Sequence, residues 1–167
     1  MENLKTINDD RSMLEYYNEI FSSVRQISQK LDELFVPLVE KYDLTGLKLM
    51  IILMLGTEEN YSSSIGNLGS LVGVTGGNIS NITKNIEELG YIKRQRSSVD
   101  DRVVEVKLTE KGHELCDAAE EYLKGISELK ANDGDNEKKV KLVKILKSVS
   151  RDLGLLIYLG KGNMGRI

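Results

Sequence analysis

A mainly α fold, interrupted once by a short β-hairpin, is what this 167-residue sequence predicts. Three observations carry that expectation. Apolar residues recur at helical spacing over most of the chain. A single proline, Pro37, and an aromatic content of 5% leave little that favours a large sheet. Only residues 91–112, YIKRQRSSVDDRVVEVKLTEKG, read differently, as two β-prone runs joined by a polar tip that ends in Arg102. A ribbon that short buries no core of its own. It must serve the helices around it, or something outside the chain.

The elements follow in order. Residues 11–40 carry Leu14, Tyr17, Phe21, Val24, Leu31, Phe35 and Leu38 at three-four spacing, the stripe of a long amphipathic helix. Pro37 should kink or end it. Residues 45–55, TGLKLMIILML, are apolar almost all round, so they predict a buried central helix with Thr45 as N-cap and Gly56 as its stop. Two shorter helices come next, at 63–72 and 76–89, with Gly73 in the tight turn between them and Thr75 capping the second. In the second, Ile79, Ile82, Ile86 and Leu89 form the inward stripe, while Gly77, Asn78, Ser80, Asn81, Lys84 and Asn85 face the other way. Runs 91–96 and 103–108, with SSVDD between them, read as the hairpin. From Thr109, an N-cap with Glu110 in the favourable first turn, a further helix opens. A loop at 131–136 and a last helix over 137–159, striped by Leu142, Ile145, Leu146, Val149, Leu153 and Leu156, complete the order. Helix–turn–helix followed by hairpin is the arrangement of a winged helix–turn–helix, and the long outer helices have apolar stripes wider than so small a module can cover. They are expected to cover each other across a dimer.

Composition bounds the function classes. The formal charge of −3 is ordinary. The first sixty residues hold 6 basic and 11 acidic side chains, whereas residues 61–111 hold 7 and 6, so the acidity is concentrated away from the middle. That distribution is compatible with nucleic-acid binding but does not argue for it. The N-terminal MENLKTINDDRSM has neither a basic nor an apolar signal region, and the longest apolar run, 49–55, is too short to span a bilayer. With one cysteine, Cys116, a reduced, cytoplasmic protein without a membrane partner is expected. There is no Walker pattern, and the single histidine, His113, would have to serve every catalytic role, so no enzyme and no cofactor are expected.

The stretches LTGLKLMIILML, IGNLGSLVGVTGGNISNITKNIEELGYIKR and DDRVVEVKLTEKG together resemble the MarR-type transcriptional regulators, the multiple-antibiotic-resistance-regulator family. The most specific piece is the last: an acidic residue, any residue and arginine at the hairpin tip, then a strand closing in Leu-Thr-x-x-Gly. The resemblance implies a single domain over 1–167, a DNA-binding lobe at 45–108, and dimerisation helices at 11–44 and 109–159. It implies a homodimer shaped like a triangle that binds double-stranded operator DNA at an inverted repeat and represses by occluding a promoter. Asn78, Ser80, Asn81 and Lys84 match groove-facing positions of the recognition helix; Asp100 and Arg102 match the wing pair, arginine entering the minor groove and aspartate bracing it. This sequence departs from the family in crowding Gly66, Gly69, Gly73, Gly76 and Gly77 into the reading head, where each interior glycine costs up to about 1 kcal/mol against alanine.

The residues support the same role on their own chemistry. Asparagine pairs two-pronged with adenine and serine bonds to several base edges. Thr75, Gly76 and Gly77 open the helix where free N–H groups bind phosphate. A guanidinium on a hairpin suits the negative potential of a narrow minor groove, so Arg94, Arg96 and Arg102 are wing candidates, with Asp100 orienting one of them. A small-molecule effector pocket, by analogy with the family, would be lined by Met13, Tyr16, Tyr17, Phe21, Met50, Met54 and His113, although such residues at helical spacing more often form core. Cys116 beside DAAEE sits where a thiolate is disfavoured, which argues for a structural thiol over a redox sensor. His113 and Cys116 at i, i+3 offer two metal ligands, but with no other His or Cys a zinc ion would need carboxylates or a second subunit, so no metal is expected. The tail GKGNMG at 160–165 spells a nucleotide-binding glycine pattern but follows a helix, and reads as a flexible end. Two alternatives stand beside the DNA-binding reading: a winged-helix protein-interaction module without DNA binding, and a metal- or thiol-sensing regulator of the same fold.

Overall fold

The computed structural model describes residues 12–129 and 136–163. Their order is α1 (Met13–Tyr42), α2 (Gly46–Thr57), a 3₁₀ turn (Glu59–Tyr61), β1 (Ser62–Ser64), α3 (Ile65–Val72), α4 (Gly76–Glu88), β2 (Ile92–Arg96), β3 (Val104–Leu108), α5 (Glu110–Leu129) and α6 (Asn136–Asn163). Mainly α with a small antiparallel sheet, it is the winged-helix arrangement that the spacing of apolar residues predicts.

Helix α1 starts on a capping box, with Ser12 and Glu15 each accepting the other's backbone N–H. Pro37 does not end it: the helix runs on to Tyr42. Pro37 and Glu33 are exposed, so the Glu33 carbonyl that loses its partner is open to water. The helix ends instead at Asp43, whose left-handed φ of 51° lets the Leu44 N–H donate back to the Val39 carbonyl at 3.0 Å.

Helix α2 is the centre of the core. Leu49, Ile51, Ile52 and Leu55 are buried, and against them pack Leu68 of α3, Ile79 and Ile86 of α4, Ile92 of β2, Val106 of β3 and Leu115 of α5. Gly56 is not the stop that its residue type suggests. It lies inside α2, where an added Cβ would come 2.7 Å from Cys116 Sγ, so close packing is its reason for being glycine. The turn after α3 does use glycine for its backbone: Gly73 has φ 68°.

In α4 the buried side chains are Ile79, Thr83 and Ile86. Thr83 is wholly inside because its hydroxyl donates to the Ile79 carbonyl at 2.9 Å. Leu89, expected in the inward stripe, is half-exposed because the helix has ended at Glu88.

The sheet has three strands in the order β1-β3-β2, all antiparallel. The hairpin was legible; β1 was not, and residues 63–64, expected to open a helix, pair with Val106 and Glu105 instead. Three serines carry no strand propensity, so β1 exists because β3 is there to pair with it.

The first turn of α5 seals the corner behind the hairpin. Thr109 Oγ accepts the Gly112 N–H at 3.2 Å, as expected of a cap, and donates to the Gly90 carbonyl at 2.7 Å. Lys111 Nζ donates to the Leu89 carbonyl at 2.8 Å and lies 4.3 Å from the centre of the Tyr91 ring. A Cβ on Gly112 would meet the Tyr91 carbonyl at 2.3 Å. These contacts give the Leu-Thr-x-x-Gly run its physical meaning: it docks a helix start against the end of α4.

The chain divides into two compact units, Met1–Tyr122 and Leu123–Ile167. Leu115 and Ala119 of α5 belong to the core of the first. In the second, α6 extends through residues 160–163, the start of the glycine-rich tail expected to be a flexible end; positions 164–165, like loop residues 131–135, lie outside the described residues. Among the described residues no helix is long and apolar enough to cross a membrane.

Candidate nucleic-acid interface

Helix α4 presents its opening to solvent. Thr75, Gly76, Gly77, Asn78, Asn81 and Lys84 are all exposed, and the Thr75 side chain caps no backbone N–H. An added Cβ at Gly76 or Gly77 would meet nothing within 4 Å, so the space beside these two positions is open. Its free N–H groups and the positive end of its dipole are open to an anion. One turn on, Asn85 Nδ2 donates to the Asn81 carbonyl at 2.9 Å, leaving the Asn81 amide outward.

Ser80 behaves differently. It is half-buried, and its hydroxyl and carbonyl accept from Arg94 Nη2 at 3.3 Å and Nη1 at 3.4 Å. The structure therefore places two residues expected at the DNA surface, Ser80 and Arg94, against each other between α4 and β2. Sequence reasoning missed this pairing because charge and spacing alone do not say which way a strand arginine turns.

The hairpin tip, residues 97–103, is braced from within. Ser97 is buried, its N–H donates to the Val103 carbonyl at 2.9 Å, and the Val103 N–H donates to the Asp100 carbonyl at 2.9 Å. Asp100 Oδ1 accepts the backbone N–H of Arg102 at 2.9 Å, an Asx turn. The aspartate thus orients the arginine through its main chain; among the described residues the Arg102 guanidinium has no protein partner. Arg96 is exposed and donates from Nη1 to the Asp101 carbonyl. Val99, at the tip, is the most exposed large apolar residue described, at 93%.

The proposed effector residues are not drawn together in this way. Met13, Tyr17, Phe21 and Met50 are exposed, Tyr16 and Met54 half-buried, and His113 stands edge-on to the Tyr61 ring at 4.4 Å. A shallow polar cavity lies elsewhere, lined by Glu59, Asn60, Ser64, Gln95, Glu105 and Lys107 on the outer side of the sheet. Cys116 is half-buried, with its Sγ 3.6 Å from the Ile52 carbonyl; burial first, then the Asp117 carboxylate, push its thiol up. It is a poor nucleophile in that setting. Among the described residues no three His, Cys, Asp or Glu side chains gather as a metal ion would require.

A helix–turn–helix with an open second helix, followed by a braced hairpin carrying free arginine, is a winged helix, the fold of the MarR-type regulators. The chain belongs to the family described as transcriptional regulator SarA/Rot, whose model matches residues 33–119. It is 33% identical over 113 residues to the HTH-type transcriptional regulator SarZ of Staphylococcus haemolyticus, covering 66% of this chain and 73% of that protein. Among solved structures, a MarR transcriptional regulator from Methanosarcina mazei superposes with a TM-score of 0.65 at 19% identity, covering 84% of this chain and 99% of the other. Reduced AbfR, solved bound to DNA, superposes with a TM-score of 0.67 at 17% identity over 88% and 99% of the two chains. At such identities the structural likeness speaks for the fold. Together with the family, it makes the protein a DNA-binding transcriptional regulator.

Proposed function

We propose that the protein acts as a cytoplasmic homodimer on an inverted-repeat operator and represses by occluding a promoter. Asn78 and Asn81 read base edges in the major groove, Lys84 and the N-terminus of α4 take phosphate, and Arg102 enters the minor groove. The observation that carries this reading is the free face of α4, exposed at Asn78, Asn81 and Lys84, with open space beside Gly76 and Gly77. A dimer is supported by the apolar residues that one chain leaves uncovered. Leu14, Phe21, Val24 and Leu31 of α1 are exposed, as are Val140, Leu142, Val143 and Ile145 of α6. Two recognition helices in a dimer require half-sites whose centres lie one helical turn, roughly 10–10.5 base pairs, apart. A small-molecule effector would release the operator.

The test is affinity for a duplex selected from random DNA and for its scrambled counterpart, over a salt series. Arg102→Ala is expected to weaken both duplexes alike and to flatten the salt dependence by about one counterion. Asn81→Ala should leave the scrambled duplex unchanged and relax preference at one position per half-site, by about 1–3 kcal/mol. Inserting five base pairs between the half-sites should abolish two-lobed binding. Undiminished affinity across that insertion would refute the dimeric reading.

A further inference from the structure

Arg94 is the least ordinary cation in the lobe. Its backbone N–H donates to Glu87 Oε1 at 2.7 Å, near the end of α4. Its guanidinium reaches Ser80, donating to the hydroxyl at 3.3 Å and to the carbonyl at 3.4 Å. Ser80 and Glu87 are seven residues apart, about 10 Å along a helix and about 20° apart around it. The one arginine therefore lies lengthwise along α4, tied near both ends of a two-turn span. Its Nε is buried and has no hydrogen-bond partner. Burying a donor unpaired is unfavourable, so its placement is not what a solvated strand would choose for a surface charge.

What this span controls is rotation. On α4 the side held by Ser80 and Glu87 lies next to the buried Thr83, and the solvent side carries Asn78, Asn81, Lys84 and Asn85. The apolar contacts of Ile79 and Ile86 are non-directional and tolerate a small roll of the helix. Two hydrogen-bonded points on one side do not, because a roll lengthens both. The two hydrogen bonds of an asparagine–adenine contact tolerate little such movement.

We propose that Arg94 is a positioning residue for DNA reading: it fixes the roll of α4, and so which base edges Asn78 and Asn81 meet, without itself touching DNA. This rests on the reading that α4 faces the bases, and it replaces the sequence-based expectation that Arg94 and Ser80 are DNA contacts.

The experiment measures the ratio of affinities for a selected and a scrambled duplex, and the salt slope, for Arg94→Gln, Arg94→Lys, Ser80→Ala and the Arg94→Gln/Ser80→Ala pair. Circular dichroism checks that each is folded. Arg94→Gln should lower the ratio about tenfold with the salt slope unchanged. Arg94→Lys keeps the charge without the two-pronged geometry and should lose the ratio as well. Ser80→Ala should shift it less, in the same direction, and the pair should be no worse than Arg94→Gln alone. If Arg94→Gln does not fold, Arg94→Lys and Ser80→Ala carry the test. A salt slope reduced by about one, with both duplexes weakened equally, would make Arg94 a phosphate contact and overturn the proposal. An unchanged ratio in all variants would overturn it too. Asn81→Ala, measured alongside, separates the two readings. If Asn81→Ala shifts base preference and the Arg94 variants do not, only the positioning role fails. If Asn81→Ala leaves preference untouched, the reading of α4, and this inference with it, falls.

Discussion

The lobe around α2 and the outer helices solve the burial problem in opposite ways. In the lobe, Ile51, Ile52, Leu55, Leu68, Ile79, Ile86 and Val106 are all at 0% exposure within one chain. On α1, Phe21 is 74% exposed and Leu14 70%, and on α6 Ile145 is 59% exposed. Both regions use the same residue types at the same helical spacings. Apolar periodicity says that a face will be covered; it does not say by which chain. The difference is that the lobe covers its apolar side chains within one chain, whereas those on α1 and α6 stand open, which is what the proposed dimer would explain.

The sharpest way to break that comparison is to charge the outer stripe. Leu146→Asp with Leu153→Asp should convert the protein to monomers or unfold it, read by sedimentation, because burying one leucine contributes about 1.5–3 kcal/mol and a carboxylate there reverses the sign. A folded dimer carrying both changes would show that α6 is not the covered surface. Next in size is the lobe itself. Ile52→Ala, at a site of zero exposure, should destabilise by about 2–5 kcal/mol in denaturant titration while leaving association by the outer helices intact.

A finer probe addresses packing inside the lobe. Gly56→Ala would set a methyl 2.7 Å from Cys116 Sγ and should destabilise by about 1–3 kcal/mol. In a Cys116→Ala background most of that loss should vanish, since the atom met first is gone. The smallest effect concerns the thiol. Its folded pKa is raised, so ionisation opposes the folded state: stability is fully present below the ordinary thiol value and declines as pH rises toward the folded one. Denaturant midpoints followed from neutral pH to about pH 10 should fall less steeply for Cys116→Ala than for the parent. The remaining slope should include Tyr91, whose hydroxyl is also raised, chiefly by burial.

Much of the fold was legible because it is written in local periodicity. The isoleucines of α4, the alternation of β2 and the Thr109 cap each announce an element without reference to the rest of the chain. What was not legible depends on partners distant in sequence. Ser62–Ser64 is a strand only beside β3. Pro37 sits in a helix because its face is solvated, and Gly56 is dictated by a sulfur sixty residues away rather than by its own turn. At the site, residue type marked Asn78, Asn81 and Arg102 as outward candidates, and they are exposed. It could not separate Arg94 from Arg96, two residues apart on one strand, because only the neighbouring helix decides that Arg94 turns inward and Arg96 does not.

The strand order β1-β3-β2 has a kinetic consequence. The β2–β3 hairpin closes across a seven-residue tip, a short loop that forms quickly. β1 must find β3 across an intervening chain that contains α3, α4 and β2, so its pairing requires a far more costly loop closure for only three residue pairs. Of the two seams in the sheet, β1–β3 is therefore expected to close last during folding and to open first. Its amides should exchange with solvent through a low-energy opening that leaves the hairpin protected. Opening there would also release the Ser64 cap of α3, so the first turn of that helix should share the exchange.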